Sequence, residues 1–466
     1  PTDAAGLDSA VPPWLRCDYE LLEQRATLRA DRYGFGLLYW RKLAGCVAFS
    51  TSALLLARVP PAAEADRDAL AELIAFDHLL GERTLARGVA ALPLGHRLLL
   101  EPSGARLERH TGYGDIPLNE GLKPHDALPG LLEGWRNGVA GLLKSAGSRS
   151  IVVPLSGGLD SRLLAATAAE LGASPSTFTF GQRLVSGGDP PDVTIAREVA
   201  KTLGAPWRFL ELKDGWVSDH AEVACQLTDG QLNVLHSAGV SFARDFQGLE
   251  GSLLRLDGLA GDIVLGGSAL LPQAFRETSP EARLQRLWRA RSSIDGVEWR
   301  ELLLPDAHRE LTARARASLQ QSLSDVTAEL DPSDPRWLDF WILRHRIRRF
   351  TTNGALLWRP VAESVFPFFA VDFLDRLLAL HPRHRVGARL QAGFLHHGYP
   401  AMARIPWQKT GRPVAPPGWL GRVAQHLSLR RLPPKFPFFD FDAAFRRTAR
   451  EQEFFRARLL GKGSPL

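Results

Sequence analysis

The sequence predicts an α/β fold, a doubly wound parallel sheet with a helical C-terminal part, preceded by a small, mostly β domain. Residues 151–155 form a short apolar run rich in β-branched side chains, and strong helix formers follow at 162–170. The order strand, helix, strand, which is the repeating unit of a doubly wound sheet, recurs at 177–180, 192–204 and 207–212.

The loop between the first strand and its helix is the main candidate functional segment. Residues 156–161 read Ser-Gly-Gly-Leu-Asp-Ser. Gly157 and Gly158 allow successive N–H groups to face an anion, and the hydroxyls of Ser156 and Ser161 add donors at a helix N-terminus. Asp160 suits such a site if it holds Mg²⁺, which proteins bind with one or two carboxylates plus phosphate oxygens. The loop therefore predicts ATP and Mg²⁺ as ligands, with an ordinary tight turn as the alternative.

This loop resembles the pyrophosphate loop of the ATP pyrophosphatase superfamily, whose members cleave ATP to AMP and pyrophosphate while they adenylate an oxygen. The Gly-Lys-Ser/Thr of a Walker motif is absent, which disfavours an ordinary P-loop NTPase. The resemblance implies a sheet of the adenine nucleotide α-hydrolase type. It also implies nucleotide contacts at Leu155, Ser156, Gly157, Gly158, Asp160, Ser161, Phe180 and Gly258.

A second motif at 256–267 narrows the resemblance to the asparagine synthetase branch, where an apolar strand runs into Gly-x-x-Gly-Asp-Glu. Asp262 falls where that branch has its second magnesium-binding carboxylate, and Ile263 replaces the acid that follows. Asp160 and Asp262, from separate loops, would together hold Mg²⁺ on the β and γ phosphates. A β-turn with an incidental Asp is the alternative.

Two further segments are similar to parts of the branch's nucleotide site. The strand at 177–182 is similar to the one that lies against adenine, so Phe180 is either an adenine contact or a core residue. Residues 405–413 are similar to the loop whose lysine reaches the α-phosphate and the developing acyl-adenylate. Lys409 is the candidate for that catalytic role, because a cation stabilises the charge that gathers there. The alternative is a solvated lysine, with Arg404 or Arg412 in its place.

The substrate side of the resemblance is altered. Residues 363–369 are close to the branch's Glu-x-Arg-x-Pro-Phe-Leu-Asp, with Val365 in place of its Arg and Ala370 in place of its Asp. These changes argue against free aspartate as the acceptor. Arg346, Arg348 and Arg349 lie on a predicted helix, and one of them is a candidate contact for a phosphate or a substrate carboxylate.

The N-terminal part resembles the second half of the glutaminase domain that precedes the synthetase domain in this branch, at 31–40, 47–52 and 81–96. That domain hydrolyses glutamine with an N-terminal cysteine whose α-amine is the base. The first cysteine here is Cys17, so we expect no glutamine hydrolysis. A companion protein that completes this domain is a candidate partner.

The resulting organisation is a partial, degenerate glutaminase-like domain at 1–125 and an ATP-binding domain at 126–466. The second divides into an α/β nucleotide layer at 126–275 and a mainly helical substrate side at 276–466. Apolar residues at spacings of three and four predict helices in that last part at 281–291, 308–324 and 336–349.

Composition fits a cytoplasmic enzyme. The chain has 466 residues, 45% of them apolar, and only three cysteines, without paired spacing. No run of eighteen apolar residues indicates a membrane span. The net charge is +6, and a basic stretch after Lys409 suits an acidic peptide, a carrier or RNA, although such stretches are more often solvated surface. That stretch contains Arg422, Arg430, Arg431, Lys435, Arg446, Arg447 and Arg450.

These features predict an ATP-dependent carbon–nitrogen ligase that forms AMP, with a carboxylate substrate. Asparagine synthetases use aspartate and ammonia. β-Lactam synthetases use an internal amine and carry a tyrosine three residues before the second carboxylate, where this chain has Leu259. Lasso-peptide macrolactam cyclases join a peptide's N-terminal amine to an Asp or Glu side chain, and this third interpretation is favoured. Two alternatives belong to other classes of protein. One is a tRNA-modifying enzyme with the same loop, although nucleic acid is a less favoured partner than a peptide. The other is an inactive scaffold.

Overall fold

The computed structural model describes residues 15–20, 22–184, 187–416, 423 and 440–460. The chain divides into two compact units, each described below by itself. The first unit comprises Pro1–Gly141, Ala260–Asn353 and Phe366–Leu390. The second comprises Leu142–Leu259, Gly354–Val365 and Gln391–Leu466. The predicted domain limits at residues 125 and 275 stay predictions.

The strands are, in chain order, β1 (Leu15–Glu20), β2 (Arg25–Ala30), β3 (Tyr39–Leu43), β4 (Cys46–Ser50), β5 (Val89–Ala91), β6 (His96–Glu101), β7 (Gly104–Arg109), β8 (Ser150–Pro154), β9 (Ser176–Gly181), β10 (Trp207–Glu211), β11 (Leu253–Leu256) and β12 (Glu363–Val365).

The α-helices are, in chain order, α1 (Ala53–Arg58), α2 (Arg67–Phe76), α3 (Pro124–Ala146), α4 (Asp160–Glu170), α5 (Pro191–Leu203), α6 (Trp216–Leu227), α7 (Ala238–Arg244), α8 (Gly261–Val264), α9 (Pro280–Arg291), α10 (Val297–Leu302), α11 (Pro305–Thr327), α12 (Trp337–Trp341), α13 (Asn353–Leu356), α14 (Val371–Leu378), α15 (Arg389–Gly398), α16 (Pro400–Arg404), α17 (Phe441–Arg447) and α18 (Ala449–Leu460). A π-helix, Ile342–Thr351, continues α12. Short 3-10 turns lie at Tyr113–Asp115, Val234–Ser237, Pro272–Arg276, Pro367–Phe369, Pro382–His384 and Val386–Ala388.

The first unit contains the antiparallel part of the molecule. Its described residues form a four-stranded sheet in the order β1-β2-β6-β7 and a three-stranded sheet in the order β4-β3-β5. Apolar clusters pack on both sheets, one around Leu28 and Leu98 and the other around Tyr39 and Leu56. The small, mostly β region that the sequence predicts is therefore confirmed.

The helical part follows the predicted pattern closely. The helices expected at 281–291 and 308–324 are α9 and α11. The helix expected at 336–349 is α12 with its π-helical continuation. Because α9 starts with the Ser279 cap followed by Pro280, its N-terminus is readable from the sequence.

The second unit is built on a five-stranded sheet in the order β10-β9-β8-β11-β12, with every neighbouring pair parallel. The chain moves outward from β8 to β9 and β10, then returns to β11 on the other side of β8. In open α/β sheets, ligands bind beyond the carboxyl ends of the strands at such a switch point. The α/β fold class is confirmed, and the switch point lies between β8 and β11.

Candidate functional site

The predicted phosphate loop occupies this switch point. The N–H of Leu155 still donates to the carbonyl of Phe178 at 2.7 Å, so the strand pairing continues to the edge of the loop. The chain then turns through residues 156–159, and α4 begins at Asp160. Strand, glycine-rich loop and helix therefore occur in the order that an anion-binding helix N-terminus requires.

Two serine hydroxyls close the loop on itself. The Ser161 Oγ accepts from the backbone N–H of Ser156 at 3.0 Å and lies 3.1 Å from the Ser156 Oγ. The Ser156 Oγ in turn accepts from the N–H of Gly158 at 3.2 Å. The sequence predicted both hydroxyls as site residues, and the structure places them side by side within hydrogen-bond distance.

Asp192, at the start of α5, lies beside the loop and was not singled out as a site residue. Its Oδ1 accepts the Gly157 N–H at 2.6 Å, while its Oδ2 is buried without a partner in the described part of the chain. Burial raises the pKa of Asp192 to about 6, although the Gly157 N–H and the charge of Arg162 lower it. The Gly157 N–H, which the sequence suggested as an anion donor, is thus directed to this carboxylate.

Gly258, in the second motif, lies close to the phosphate loop and the start of α4. A Cβ added to Gly258 would lie 3.1 Å from the backbone N and 3.2 Å from the Cα of Ser161. Gly258, in the loop after β11, therefore lies against the first turn of α4, and a side chain at this position would push the loop and the helix apart. The structure thus brings together residues of two motifs that the sequence assigned to the nucleotide.

Asp160 is the first residue of α4, and its carboxylate accepts a hydrogen bond from the Gln391 side-chain amide at the start of α15. Gln391 is almost fully buried. Nothing in its local sequence indicates this contact, because 231 residues separate the two partners. A carboxylate in the first turn of a helix fits the ligands that Mg²⁺ uses together with phosphate oxygens.

Asp262 belongs to the first unit, where it lies exposed in the short helix α8. The Ser268 hydroxyl donates to its Oδ2 at 2.8 Å. Arg385 fixes the end of this helix, because its guanidinium donates to the Val264 carbonyl at 2.7 Å. The role of Asp262 as a second magnesium ligand stays a prediction.

Phe180 stacks on the ring of Phe242, with 4.7 Å between ring centroids, and its ring centroid lies 6.4 Å from that of Phe178. Its side chain is half-buried rather than enclosed. One face of the ring is therefore engaged in packing, and its contact with adenine stays a prediction.

Lys409 is exposed on a turn that is joined to the phosphate loop. The N–H of Trp407 donates to the Arg412 carbonyl at 2.8 Å, which closes the turn. The N–H of Gln408 donates to the Gly157 carbonyl at 3.0 Å. The Lys409 Nζ lies 5.6 Å from the centroid of the Trp407 ring. The predicted catalytic lysine is thus one residue away from a direct contact with the predicted phosphate loop.

The altered substrate motif is apolar where the branch is polar. Val365, at the end of β12, is 4% exposed, and Ala370, which follows the turn Pro367–Phe369, is 3% exposed. At the start of β12, Glu363 forms an ion pair with Arg149. Neither Val365 nor Ala370 offers a polar group to a substrate.

Two of the three candidate arginines of the π-helix, Arg348 and Arg349, donate to backbone carbonyls. Arg348 donates to the carbonyls of Gly34 at 2.8 Å and Leu92 at 2.6 Å. Arg349 donates to the Arg83 carbonyl, and the Arg346 guanidinium lies over the Phe350 ring. Each of these contacts lies within the first unit.

The basic C-terminal stretch is partly neutralised. Arg447 and Arg450 form ion pairs with Asp214 and Asp219, at or beside the start of α6. Buried Glu451 accepts the N–H groups of the first turn of that same helix. Arg422, Arg430, Arg431 and Lys435 lie outside the described residues. Arg447 and Arg450 are thus paired with Asp214 and Asp219, which weakens the RNA-binding interpretation.

A parallel sheet whose glycine-rich loop opens a helix at the switch point defines a nucleotide-binding α/β protein. The sequence model named asparagine synthase matches residues 144–386, which is more than half of the chain. The chain therefore belongs to the asparagine synthase family and is an ATP-dependent carbon–nitrogen ligase of the AMP-forming kind. No curated protein is similar enough to the chain to count as a match.

The solved structures that resemble parts of the chain include three NAD synthetases, each with a TM-score of 0.22. The NH3-dependent NAD synthetase from Campylobacter jejuni subsp. jejuni NCTC 11168 is 14% identical and covers 42% of this chain and 95% of its own. The glutamine-dependent NAD+ synthetase from Acinetobacter baumannii is 15% identical and covers 45% of each. The NAD+ synthetase from Burkholderia pseudomallei is 16% identical and covers 46% of this chain and 92% of its own. Likenesses at this level decide neither fold nor function.

Among the described residues, no helix has the length and apolarity that a membrane crossing needs. Nor do the described ranges contain a group of three or more His, Cys, Asp or Glu placed to hold a metal. A magnesium ion held by one or two carboxylates and by the phosphates of ATP needs no such group.

Proposed function

We propose that this ligase activates an Asp or Glu side chain of a peptide as an acyl-adenylate and joins it to the peptide's N-terminal amine, as lasso-peptide macrolactam cyclases do. The observation that carries the proposal is the apolar, buried character of Val365 and Ala370. The branch has a charged Arg and Asp at these positions. The side chains at these two positions therefore offer no polar partner to the ammonium group or the α-carboxylate of free aspartate.

The nucleotide half of the proposal rests on the phosphate loop. ATP would lie beyond the carboxyl ends of β8 and β11, with its phosphates at the N-terminus of α4 and near the Ser156 and Ser161 hydroxyls. Asp160 and Asp262 are the proposed magnesium ligands. When bound, Mg²⁺ would neutralise negative charge on the β and γ phosphates.

The reaction has two bond-forming steps. A carboxylate oxygen of the substrate attacks the α-phosphorus of ATP, and the bond to the departing pyrophosphate breaks. The amine then attacks the activated carbonyl, and AMP leaves with the former carboxylate oxygen while the amine loses a proton. Lys409, on its exposed turn, would stabilise the negative charge on the α-phosphate and on the attacked carbonyl.

Leu259 separates this proposal from a β-lactam-type reaction. In β-lactam synthetases the corresponding position is a tyrosine that helps to deprotonate the amine. Leu259 has no ionisable group, so the amine must lose its proton to another base. An N-terminal peptide amine, whose pKa is about 7.7–8.0, is largely available as the free base at mildly alkaline pH.

The test is a mass spectrum of candidate substrates after incubation with the chain and MgATP. The panel contains free aspartate with ammonia, and linear peptides with a free N-terminus and one internal Asp or Glu. We expect a peptide to lose one water while AMP and pyrophosphate appear. A matched peptide with an acetylated N-terminus should not cyclise, and neither should the free-amine peptide when Asp160→Asn replaces the parent chain.

Formation of asparagine from aspartate and ammonia would contradict the proposed substrate but not the ligase chemistry.

Adding hydroxylamine distinguishes adenylation from amide formation, since it traps an acyl-adenylate as a hydroxamate. A hydroxamate formed on the peptide without any cyclic product would show that the carboxylate is correct and the amine is not.

A further inference from the structure

Arg162 is a fully buried arginine in the first turn of α4. Its guanidinium donates to five backbone carbonyls at distances of 2.8–3.1 Å, those of Gly157, Gly158, Met402, Ile405 and Pro406. Within the described residues it forms no salt bridge. One side chain thus connects the phosphate loop with a segment about 240 residues later in the chain.

On the loop side, Arg162 sets the direction of the peptide groups. A trans peptide unit is planar, so its C=O and the N–H of the next residue point in opposite directions. Because the carbonyls of Gly157 and Gly158 point toward the guanidinium, the N–H groups of Gly158 and Leu159 point away from it. The arginine therefore fixes which face of the loop presents its donors.

On the other side, Arg162 holds the chain that leads to Lys409. Met402 lies in α16, and the carbonyls of Ile405 and Pro406 belong to the following extended residues. Two residues after Pro406, the Gln408 N–H donates to the Gly157 carbonyl, which Arg162 also binds. The phosphate loop and the turn of Lys409 are therefore joined in two ways. Both hydrogen-bond through the Gly157 carbonyl, and the Arg162 guanidinium binds the loop and the chain that leads to the turn.

Burying the charged guanidinium of Arg162 costs free energy, which indicates that the residue does more than fill space. Burial lowers the pKa of Arg162 to about 10, so the group still carries its charge at neutral pH. A buried charge without a contacting carboxylate depends mainly on the dipoles of its hydrogen-bond partners. The charges of Glu198, Asp192 and Asp160 stabilise it further at longer range. An apolar side chain would fill this space without that cost but could not orient five carbonyls.

We propose that Arg162 is a positioning residue for adenylation, which couples nucleotide binding at the phosphate loop to the placement of the Lys409 turn. The inference rests on the proposed role of Lys409. Arg162 itself contacts neither substrate; it acts through the carbonyls of Gly157 and Gly158 on one side and those of residues 402–406 on the other.

The test uses the full chain with MgATP as the probe. Titration calorimetry gives the affinity for MgATP, and hydrogen exchange measured by mass spectrometry follows residues 155–161 and 402–412. In the parent chain, MgATP should slow exchange in both segments. In Arg162→Met, MgATP should bind about tenfold or more weakly, because small displacements of a binding loop are costly. Saturating MgATP should still slow exchange in 155–161 but no longer in 402–412.

Arg41 offers a matched control. It is also buried, and it donates to three backbone carbonyls, those of Leu56, Val59 and Pro61. Arg41→Met should lower the melting temperature yet leave MgATP affinity within about twofold, since its carbonyls belong to the antiparallel region. If Arg162→Met does not fold, Arg162→Lys keeps the charge with fewer donors and should show the same loss of coupling.

Chemical rescue supplies a readout that a merely structural role would not give. Ethylguanidinium added to Arg162→Ala should restore both the affinity for MgATP and the coupled protection of 402–412, and it should do nothing for Arg41→Ala. The inference would be wrong if Arg162→Met bound MgATP as tightly as the parent chain and MgATP still slowed hydrogen exchange in both segments. Failure of MgATP to protect 155–161 in the parent would instead contradict the proposed nucleotide site.

Discussion

The antiparallel region of the first unit contains a buried aspartate, Asp31, and a second buried aspartate, Asp192, lies beside the phosphate loop of the second unit. The two carboxylates have different hydrogen-bond partners. Asp31 is 1% exposed and accepts three backbone N–H groups, from Tyr33, Phe35 and Gly36, so both of its oxygens are bonded. Asp192 is 7% exposed and accepts the Gly157 N–H on one oxygen, while the other has no partner in the described part of the chain.

Burial raises the pKa of both carboxyls, so burial alone does not distinguish them. The difference lies in what each carboxylate satisfies. Asp31 completes the hydrogen bonds of its own turn, as a structural residue does. Asp192 leaves an acceptor unsatisfied beside a predicted ligand site, which costs free energy that folding does not require. Asp31 therefore stabilises its own backbone turn, whereas Asp192 holds the loop of the proposed nucleotide site.

The largest effect should come from the proposed magnesium ligands. Asp160→Asn or Asp262→Asn should abolish adenylation at unchanged fold, a loss of several kcal/mol in transition-state stabilisation or about a thousandfold or more in rate. Pyrophosphate release measures it. Asp31→Asn is the contrasting variant, which should lower the melting temperature while each folded molecule keeps its activity. Normal pyrophosphate release from Asp160→Asn would show that Asp160, like Asp31 in the antiparallel region, is not needed for adenylation.

Lys409→Ala should have the next largest effect. An interaction made chiefly in the transition state lowers kcat by about a hundredfold and leaves KM nearly unchanged. Lys409→Arg should restore little, because the planar guanidinium cannot place a compact charge on the same oxygen. Lys42→Ala, at an exposed lysine of β3, is the control and should be silent. Retained turnover in Lys409→Ala would make this turn ordinary surface.

Gly157→Ala tests how tightly the loop is packed. An added Cβ would lie 2.8 Å from the Gln408 Cβ and 3.1 Å from the Asp192 Oδ1, so the loop must shift. We expect about tenfold weaker MgATP binding. Gly141→Ala, in α3, meets no atom within 4 Å and should raise stability by about 0.5–1 kcal/mol through its higher helix propensity. Equal effects of the two substitutions on MgATP affinity would contradict the packing argument.

The sequence could predict the elements and the motif loops because their signals are local. β8, the glycine-rich loop and α4 follow one another within 21 residues, from Ser150 to Glu170, so periodicity and residue type suffice. Gln391 and the carbonyls of residues 402–406 have no local signal, since they meet Asp160 and Arg162 across more than 200 residues. The sequence places Asp192 at the start of a helix, and only the structure shows that its carboxylate also accepts the Gly157 N–H.

Asp192→Asn should change the pH dependence of stability. The folded pKa of Asp192 is about 6, against 3.8 as the ordinary value, so the folded state binds its proton more tightly. Stability should therefore fall as pH rises from about 4 to about 6, by on the order of 2–3 kcal/mol in all, and level off above. Asp192→Asn should remove this slope in denaturant titrations at several pH values. An unchanged slope would assign it to other carboxyls, such as Asp31.

Cys17→Ala should have the smallest effect. Cys17 lies exposed within β1, where it pairs with Leu28, and its backbone nitrogen belongs to a peptide bond. It therefore lacks the free α-amine that acts as the base in glutamine hydrolysis by an N-terminal cysteine. We expect unchanged adenylation, a stability change within about 0.5 kcal/mol as for other surface substitutions, and no glutamate from glutamine in either chain. Glutamate production that this substitution abolished would mean that the antiparallel region does carry chemistry, and the contrast with the phosphate loop would fail.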